Sequence, residues 1–173
     1  MMSKSRVQLH HYDPAWPLVY KEEYKRIRQV LMDDKKRIEH IGSTSIPNLA
    51  AKPIIDILVG IPQLGKFTEC VEPLSSIGYE YVPKPEWKER KFFRKGPKGN
   101  GTFHLHICEI HGTEWTEKLA FRDYLRTQPE NAKEYEALKR QLAHSHQEDR
   151  SLYTEKKTPF IRSVIEDMYS QKS

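Results

Sequence analysis

Residues 37–60 read RIEHIGSTSIPNLAAKPIIDILVG. Two apolar runs, at 37–41 and 54–61, flank a turn that begins with Gly42. Both runs are short and the second is rich in β-branched residues, which predicts a strand, a turn and a second, buried strand. Asp56 interrupts the second run, and a buried carboxylate needs a partner or a ligand to offset the cost of its burial.

The turn and Asp56 together have the composition of a phosphate site. Gly42 permits close approach of the backbone, and the hydroxyl and N–H groups of residues 43–45 can hold phosphate oxygens. Asp56 can hold a divalent cation, Mg²⁺ or Mn²⁺, that bridges the same phosphates. The alternative is a structural turn, with Asp56 paired to a buried basic group such as Lys52.

The spacing within this stretch resembles that of the nucleotidyltransferase superfamily. In that pattern a Gly-Gly or Gly-Ser pair precedes an Asp-x-Asp or Asp-x-Glu motif by a gap similar to the one between Ser43 and Asp56. Leu58 stands where the superfamily has its second acid if Asp56 is the first, and Ile54 stands at the first position if Asp56 is the second, so one carboxylate is missing in either case. The resemblance therefore implies altered chemistry, one metal ion instead of two, or a loss of catalysis.

The rest of the chain predicts a mixed sheet with helices before, within and after it. Further strands are predicted at 79–82, 90–94 and 102–109, and an edge strand at 7–9. Helices are predicted at about 14–34, 64–77, 115–127 and 129–145, with a last helix that begins at Thr158 and Pro159. We predict an α+β fold, a nucleotidyltransferase-like mixed β-sheet flanked by helices, in a single domain over residues 1–173 with a helical C-terminal third.

The composition excludes several classes of protein. With 31% charged residues, no apolar run of bilayer length and no apolar segment near residue 1, the chain is predicted to be cytoplasmic, with no membrane partner. Cys70 and Cys108 lack CxxC spacing, which favours buried thiols over a disulfide or a zinc site. The net charge of +5 permits an anionic ligand without selecting one, and no heptad pattern predicts an oligomeric state.

The strand FHLHICE supplies two histidines. Side chains alternate along a strand, so His104 and His106 are predicted to share one face with Cys108, while the intervening apolar residues take the other. The histidines can stand where the superfamily brings a third acid, as metal ligands or as general acid and base. The alternative is a half-exposed strand that carries two histidines without a chemical role.

Basic side chains from several segments are candidates to neutralise phosphate charge. Lys52 precedes Pro53 at the entry to the buried strand. Arg90 belongs to a hairpin at 84–98 in which basic and aromatic residues alternate, a pattern that clamps nucleotides or single-stranded nucleic acid. On the helix at 115–127, Arg122 and Arg126 share a stripe with Lys118. The alternative for each is a solvated surface charge.

Four blocks of sequence resemble the GrpB (UPF0157) family in order and in content. They are IEHIGSTSIPNLAAKPIIDILV, FHLHICE, FRDYLRTQPENAKEYEALKRQLA and YTEKKTPFI, and the resemblance runs from about Val7 to Val164. It implies a nucleotidyltransferase-like fold in a small, cytoplasmic, mostly bacterial protein, and related domains occur fused to dephospho-CoA kinase. It also directs attention to Tyr153 and Lys157 in the last block.

The leading hypothesis is an enzyme, or former enzyme, of nucleotidyltransferase type that binds a nucleotide or a phosphorylated small molecule with a divalent metal. The predicted catalytic residues are Asp56, His104, His106 and Lys52, and the first three are also the predicted metal ligands. The predicted phosphate-binding residues are Gly42, Ser43, Thr44, Ser45, Arg90, Arg122, Arg126, Tyr153 and Lys157. The alternatives are a non-catalytic module that binds a nucleotide or a coenzyme A precursor and, ranked last because no RNP-like aromatic pattern is present, an RNA-binding protein.

Overall fold

The fold is seen in a computed structural model that describes residues 6–31, 33–98 and 101–173. Within these residues the helices are α1 Trp16–Leu31, α2 Val71–Ser75, α3 Thr113–Thr127, α4 Pro129–Ser145 and α5 Arg150–Ser170. The strands are β1 Arg37–Ile41, β2 Ile55–Ile61, β3 Tyr79–Val82, β4 Arg90–Lys95 and β5 Phe103–Glu109. None of the described helices combines the length and the apolar character needed to cross a bilayer.

The strands form one mixed sheet in the order β1-β2-β5-β4-β3. The pair β2 and β5 at the centre is parallel, and the other three pairs are antiparallel. The predicted mixed sheet with helices before, within and after it is therefore confirmed.

One face of the sheet carries the main hydrophobic core. Alternate residues of β2 and β5, among them Ile57 and Leu105, are fully buried on this face against Ile27 of α1 and Leu74 of α2. Phe93 of β4 completes this layer. Because the side-chain period of a strand is two, the intervening residues of these strands must point to the opposite face.

The opposite face is covered in part by the C-terminal helices. Trp115 of α3 packs on Leu58 and Cys108, two residues of the central strand pair. Helices α3, α4 and α5 then pack on one another around Leu125, Tyr135 and their apolar neighbours. This arrangement leaves the sheet near Asp56 uncovered, and it places the two buried cysteines, Cys70 and Cys108, as free thiols on different faces.

Some predicted element boundaries are wrong. In the predicted edge strand at 7–9 no residue is in a strand, and the nearest pairing is a single bridge between His10 and Ala51. The predicted helix at 64–77 is a 3-10 helix over Leu64–Cys70 followed by the short α2. The first helix is described over Trp16–Leu31, and residue 32 of the predicted 14–34 lies outside the described residues.

The largest error concerns α5, which begins at Arg150 and not at Thr158. Its N-terminal cap is Asp149, whose carboxylate accepts a hydrogen bond from the Leu152 N–H at 2.9 Å. Pro159 lies inside the helix. A proline there removes one hydrogen bond to the carbonyl four residues earlier, that of Glu155, and Glu155 lies on the exposed side. The misread boundary matters because Tyr153 and Lys157 are therefore helical residues.

Candidate functional site

An open cleft of about 760 Å³ lies on the face of the sheet that α3, α4 and α5 only partly cover. Its floor includes Asp56 of β2, His104 and His106 of β5 and Phe92 of β4. Register aligns these residues, because Asp56 pairs with His104 and Phe92 pairs with His106. Eleven of the predicted site residues line this cleft: Gly42, Ser43, Thr44, Lys52, Asp56, Arg90, His104, His106, Arg122, Tyr153 and Lys157.

Asp56 sits against the backbone of the turn that follows β1. Gly42 has φ +73° and ψ −176°, a conformation that is essentially restricted to glycine. A Cβ atom on Gly42 would overlap the Asp56 carboxylate. The glycine is therefore needed both for the turn and for the position of the carboxylate, whose side chain keeps 31% of its surface exposed to the cleft.

The hydroxyls of the turn already have partners within the protein. Ser43 Oγ accepts a hydrogen bond from Lys139 Nζ at 2.8 Å, and Ser45 Oγ donates to the Gly42 carbonyl at 2.5 Å. Thr44 is almost fully buried, and its Oγ1 lies 2.9 Å from His40 Nε2. Of these three residues, Ser45 does not line the cleft.

His40 is a structural residue behind the turn. Its ring stacks on Tyr20 with 4.6 Å between centroids, on the side of β1 that faces away from Asp56. Burial, with the neighbouring charges of Arg126 and Arg122, lowers the pKa of His40 to about 4. The ring is therefore neutral at physiological pH and supports Thr44 through a hydrogen bond.

Two lysines that are close to the Tyr153 ring also feel the charge of the Asp56 carboxylate. Lys52 Nζ lies 5.2 Å from the centre of the Tyr153 ring, and Lys157 Nζ lies 4.7 Å from it. Burial and the charge of Lys52 lower the pKa of Lys157 to about 8, while Asp56 raises it. Burial also lowers the pKa of Lys52, again opposed by Asp56. One carboxylate thus balances two cations.

Lys139 of α4 adds a third, buried cation. Its side chain is 1% exposed, and its ammonium donates to Ser43 Oγ and to the Ala50 carbonyl. Burial and the charge of Lys157 lower the pKa of Lys139 to about 7. The residue ties α4 to the turn, and it brings positive charge to the wall behind Ser43.

Lys118 and Arg90 extend the positive charge along the cleft. Lys118 Nζ lies 3.6 Å from Glu114, and burial together with the charge of Arg90 lowers its pKa. Arg90 donates to the same Glu114 carboxylate at 3.2 Å, and its guanidinium lies 4.0 Å from the centre of the Trp87 ring. Glu114 therefore offsets only part of the charge of these two residues.

Arg122 and Arg126 are engaged in holding the fold together. Arg122 donates to Glu39 at 2.7 Å, to the His40 carbonyl at 3.0 Å and to Asp123 at 2.8 Å, so most of its donors are taken. Arg126 donates to the Ser45 carbonyl at 2.9 Å and does not line the cleft. These contacts dock α3 on β1 and on the turn.

The two histidines differ in their surroundings. His104 Nδ1 lies 3.7 Å from Asp56 Oδ1, and burial lowers the pKa of His104, which leaves a neutral ring next to the carboxylate. His106 stands among aromatic side chains, with 5.2 Å between its ring centre and that of Phe92. Burial, with the charge of Lys118, lowers its pKa as well.

The predicted metal site is not formed by three residues. Over the described residues, no group of three or more His, Cys, Asp or Glu side chains is arranged to hold a metal ion. His106 does not share a metal site with Asp56 and His104, because it lies two residues farther along β5 and pairs with Leu58 instead of Asp56. A carboxylate and a neutral imidazole fit a divalent ion only as part of a shell that a bound phosphate and water would complete.

Several residues of the cleft were missed at the level of sequence. Lys139 falls on the apolar stripe of α4, four residues after Tyr135, and this position is a detectable signal because a stripe that packs inward seldom carries a lysine. Trp87 and Phe92 also line the cleft, and the sequence marks them only as aromatic members of the basic hairpin. Lys118, which shares a basic stripe of α3 with Arg122 and Arg126, lines the cleft as well, and Arg150 lines it without a comparable sequence signal.

Comparison with known proteins connects this geometry to one family. A sequence profile described as "GrpB protein" matches residues 6–167. The UPF0157 protein BH1888 of Halalkalibacterium halodurans is 36% identical over 160 residues, which cover 92% of this chain and 80% of that protein.

Solved structures agree on the fold. The crystal structure of conserved protein GrpB from Enterococcus faecalis matches with a TM-score of 0.84 at 38% identity, over 95% of this chain and 99% of that one. Cid1, solved in complex with the UTP analog UMPNPP, matches with a TM-score of 0.54 at 12% identity, over 78% of this chain and 42% of that one. The predicted nucleotidyltransferase-like α+β fold is therefore confirmed.

Proposed function

The chain belongs to the GrpB family, and from this premise we propose that its cleft binds a nucleotide or another phosphorylated small molecule. The observation that carries the proposal is that three lysines line the cleft together with the Asp56 carboxylate: the buried Lys139 and the half-buried Lys52 and Lys157. Each of these lysines has a lowered pKa because burial and neighbouring cations disfavour its charged form. A phosphate group between them would supply the missing negative charge.

The arrangement favours phosphate over a carboxylate or chloride ligand. Phosphate offers several oxygens and up to two negative charges per group, so one ligand can contact ammonium groups that approach from the segment before β2, from α4 and from α5. Lys118 would extend the same contacts toward α3. The backbone N–H groups of Ser43 and Thr44 are a second candidate source of donors, whereas the Ser45 N–H already donates to the Gly42 carbonyl at 3.1 Å and the hydroxyls of the turn are engaged.

Asp56 and His104 would hold a divalent ion together with the phosphate oxygens of the ligand. When bound, such an ion supplies charge neutralisation to the phosphates and orients them. In the transferase form of the proposal, an acceptor hydroxyl attacks phosphorus, a phosphate-containing group leaves with the bonding electrons, and the hydroxyl proton passes to solvent water, since Asp56 and His104 would be occupied as metal ligands. The lysines would stabilise the charge that develops on the leaving group.

The substitution Asp56→Asn separates the transferase form from a non-catalytic binding module. We expect nucleoside triphosphates to raise the midpoint of thermal unfolding of the wild type, and Mn²⁺ to enlarge the shift, because a ligand of the native state stabilises it by mass action. In Asp56→Asn the part of the shift that depends on Mn²⁺ should disappear. Asp167→Asn, an exposed position on α5, is the matched control.

The panel should include coenzyme A precursors that carry phosphate. A shift that is independent of Mn²⁺ and unchanged in Asp56→Asn would replace the transferase form by a binding module. The proposal as a whole is contradicted when no nucleotide or phosphorylated precursor shifts the midpoint of the wild type under any metal condition.

A further inference from the structure

The side chains on the floor of the cleft differ in chemical type between its two ends. Near Asp56 the lining is cationic, whereas at β4 it is aromatic. Trp87, Phe92 and His106 lie against one another there, with centroid distances of 5.8 Å for Trp87 to Phe92, 6.1 Å for Trp87 to His106 and 5.2 Å for Phe92 to His106. These three side chains, called the aromatic wall, all line the cleft and are only half-buried.

Arg90 packs on Trp87 and adds a planar cationic group to the aromatic wall. Its guanidinium lies 4.0 Å from the centre of the Trp87 ring, and its hydrogen bond to Glu114 holds the group in place. Planar guanidinium groups and aromatic rings are the surfaces on which proteins stack nucleic acid bases. The wall therefore offers a planar ring both apolar contact and cation–π contact.

Polar atoms at the wall lack partners among the described residues. His106 Nδ1 and Arg90 Nε are both buried, and neither makes a hydrogen bond within the described chain.

The distance between the two ends of the cleft suits one ligand that occupies both. Asp56 and His106 are separated by one strand and two residues, about 8 Å between Cα positions, and Asp56 and Phe92 by two strands and two residues, about 12 Å. A sugar between a base and its phosphates spans a gap of this order. The two halves of the cleft share one open space, so no side chain needs to move for a ligand to reach both.

We propose that the phosphorylated ligand is a nucleotide whose base stacks on the aromatic wall of Trp87, Phe92 and His106 while its phosphates lie among the lysines near Asp56. This inference rests on the proposed function and narrows it, since it excludes phosphorylated ligands that lack a planar heteroaromatic ring. It also makes Trp87 a specificity-determining residue that recognises the base and not the phosphates.

The test compares nucleoside triphosphates with inorganic tripolyphosphate, which has the phosphates but no base. By calorimetric titration we expect the wild type to bind at least one nucleoside triphosphate about tenfold or more tightly than tripolyphosphate, because base stacking on an aromatic side chain is a substantial contribution. Trp87→Ala should remove most of that advantage and leave the affinity for tripolyphosphate unchanged. Tyr169→Ala, an exposed aromatic position outside the cleft, is the control.

Fluorescence provides a second readout that does not depend on the folding of Trp87→Ala. Stacking on Trp87 should quench the tryptophan emission of the wild type when the preferred nucleotide is added, and tripolyphosphate should not quench it. Trp87→Phe, which keeps an aromatic ring, should retain most of the affinity and lose the quenching.

The outcomes separate the two proposals. Equal affinity for nucleotides and tripolyphosphate, or an equal loss of both in Trp87→Ala, overturns the aromatic subsite and leaves phosphate binding standing. Absence of binding by every triphosphate overturns both proposals.

Discussion

Replacing Lys157 by methionine is expected to weaken binding of a nucleoside triphosphate by about 10- to 100-fold, the range for loss of a hydrogen bond to a charged group. Lys157 lies in the cleft beside Tyr153 and Lys52, and its pKa of about 8 leaves much of it protonated at pH 7. Methionine has a similar length and no charge, so the packing against Tyr153 is largely kept. Calorimetric titration of both proteins with the same nucleotide measures the effect.

Lys21→Met is the matched control for this substitution. Lys21 is exposed on α1, which packs against the opposite face of the sheet from the cleft, so the same loss of one positive charge should leave the affinity within about twofold of the wild type, as for an exposed charge that salt screens. An equal loss of affinity in the two variants would show that net charge, and not the cleft, governs binding. An unchanged affinity in Lys157→Met would remove this residue from the site.

Gly42→Ala is expected to lower the free energy of unfolding by about 3 kcal/mol and to weaken triphosphate binding at the same time. A non-glycine residue with the backbone angles of Gly42 costs on the order of 1–3 kcal/mol. The added Cβ would also overlap the Asp56 carboxylate and displace it or the turn. Unfolding in urea gives the stability, and titration with the nucleotide gives the affinity.

Gly65→Ala is the control for Gly42→Ala. A Cβ at Gly65 meets no atom within 4 Å, so the change should be neutral or stabilising by up to about 1 kcal/mol, through the smaller entropy of the unfolded chain. A loss of stability of the same size at both positions would mean that the turn after β1 imposes no special demand. Normal stability together with normal binding in Gly42→Ala would contradict the geometry described for Asp56.

Much of the sheet was predictable because its residues alternate with the period of a strand. Ile57 and Leu105 face the core while Asp56 and His104 face the cleft, and this alternation is visible in the sequence. The juxtaposition of Asp56 with His104 was only implied by the superfamily pattern. It requires the parallel pairing of β2 with β5, which are separated along the chain by β3 and β4, and periodicity carries no information on strand order.

The C-terminal helices were the less predictable part. The pair Thr158 and Pro159 has the signature of a helix start, but Asp149 provides the actual cap and the helix continues through the proline. Apolar packing of Phe160 and Ile161 against α3 and α4 outweighs the missing hydrogen bond. As a result, Tyr153 and Lys157, which are predicted to precede the last helix, lie within it, and both line the cleft.

Sequence also could not separate residues that line the cleft from those that support it. Ser45 and Arg126 are of the residue types that bind phosphate, yet both use donors in hydrogen bonds within the protein. Arg126 donates to the Ser45 carbonyl, and the Ser45 hydroxyl donates to the Gly42 carbonyl. Lys139 is the reverse case, a buried residue behind the turn that tertiary packing alone brings to Ser43. Such assignments depend on which donors are already used, which only the folded geometry reveals.

The most direct test of the account is whether polyphosphate binding takes up protons. Lys157 has a pKa of about 8 and Lys139 a pKa of about 7, both lowered by burial and by neighbouring positive charge, so each is partly neutral at pH 8. A bound polyanion favours the charged form and raises both pKa values, so binding should draw protons from solution and weaken as the pH rises above 8.

Calorimetric titration of the wild type with inorganic tripolyphosphate at pH 8, in two buffers that differ in their enthalpy of ionisation, measures this uptake. We expect saturable binding with a net uptake of protons. Absence of binding, or binding in which the heat is the same in both buffers, would contradict it.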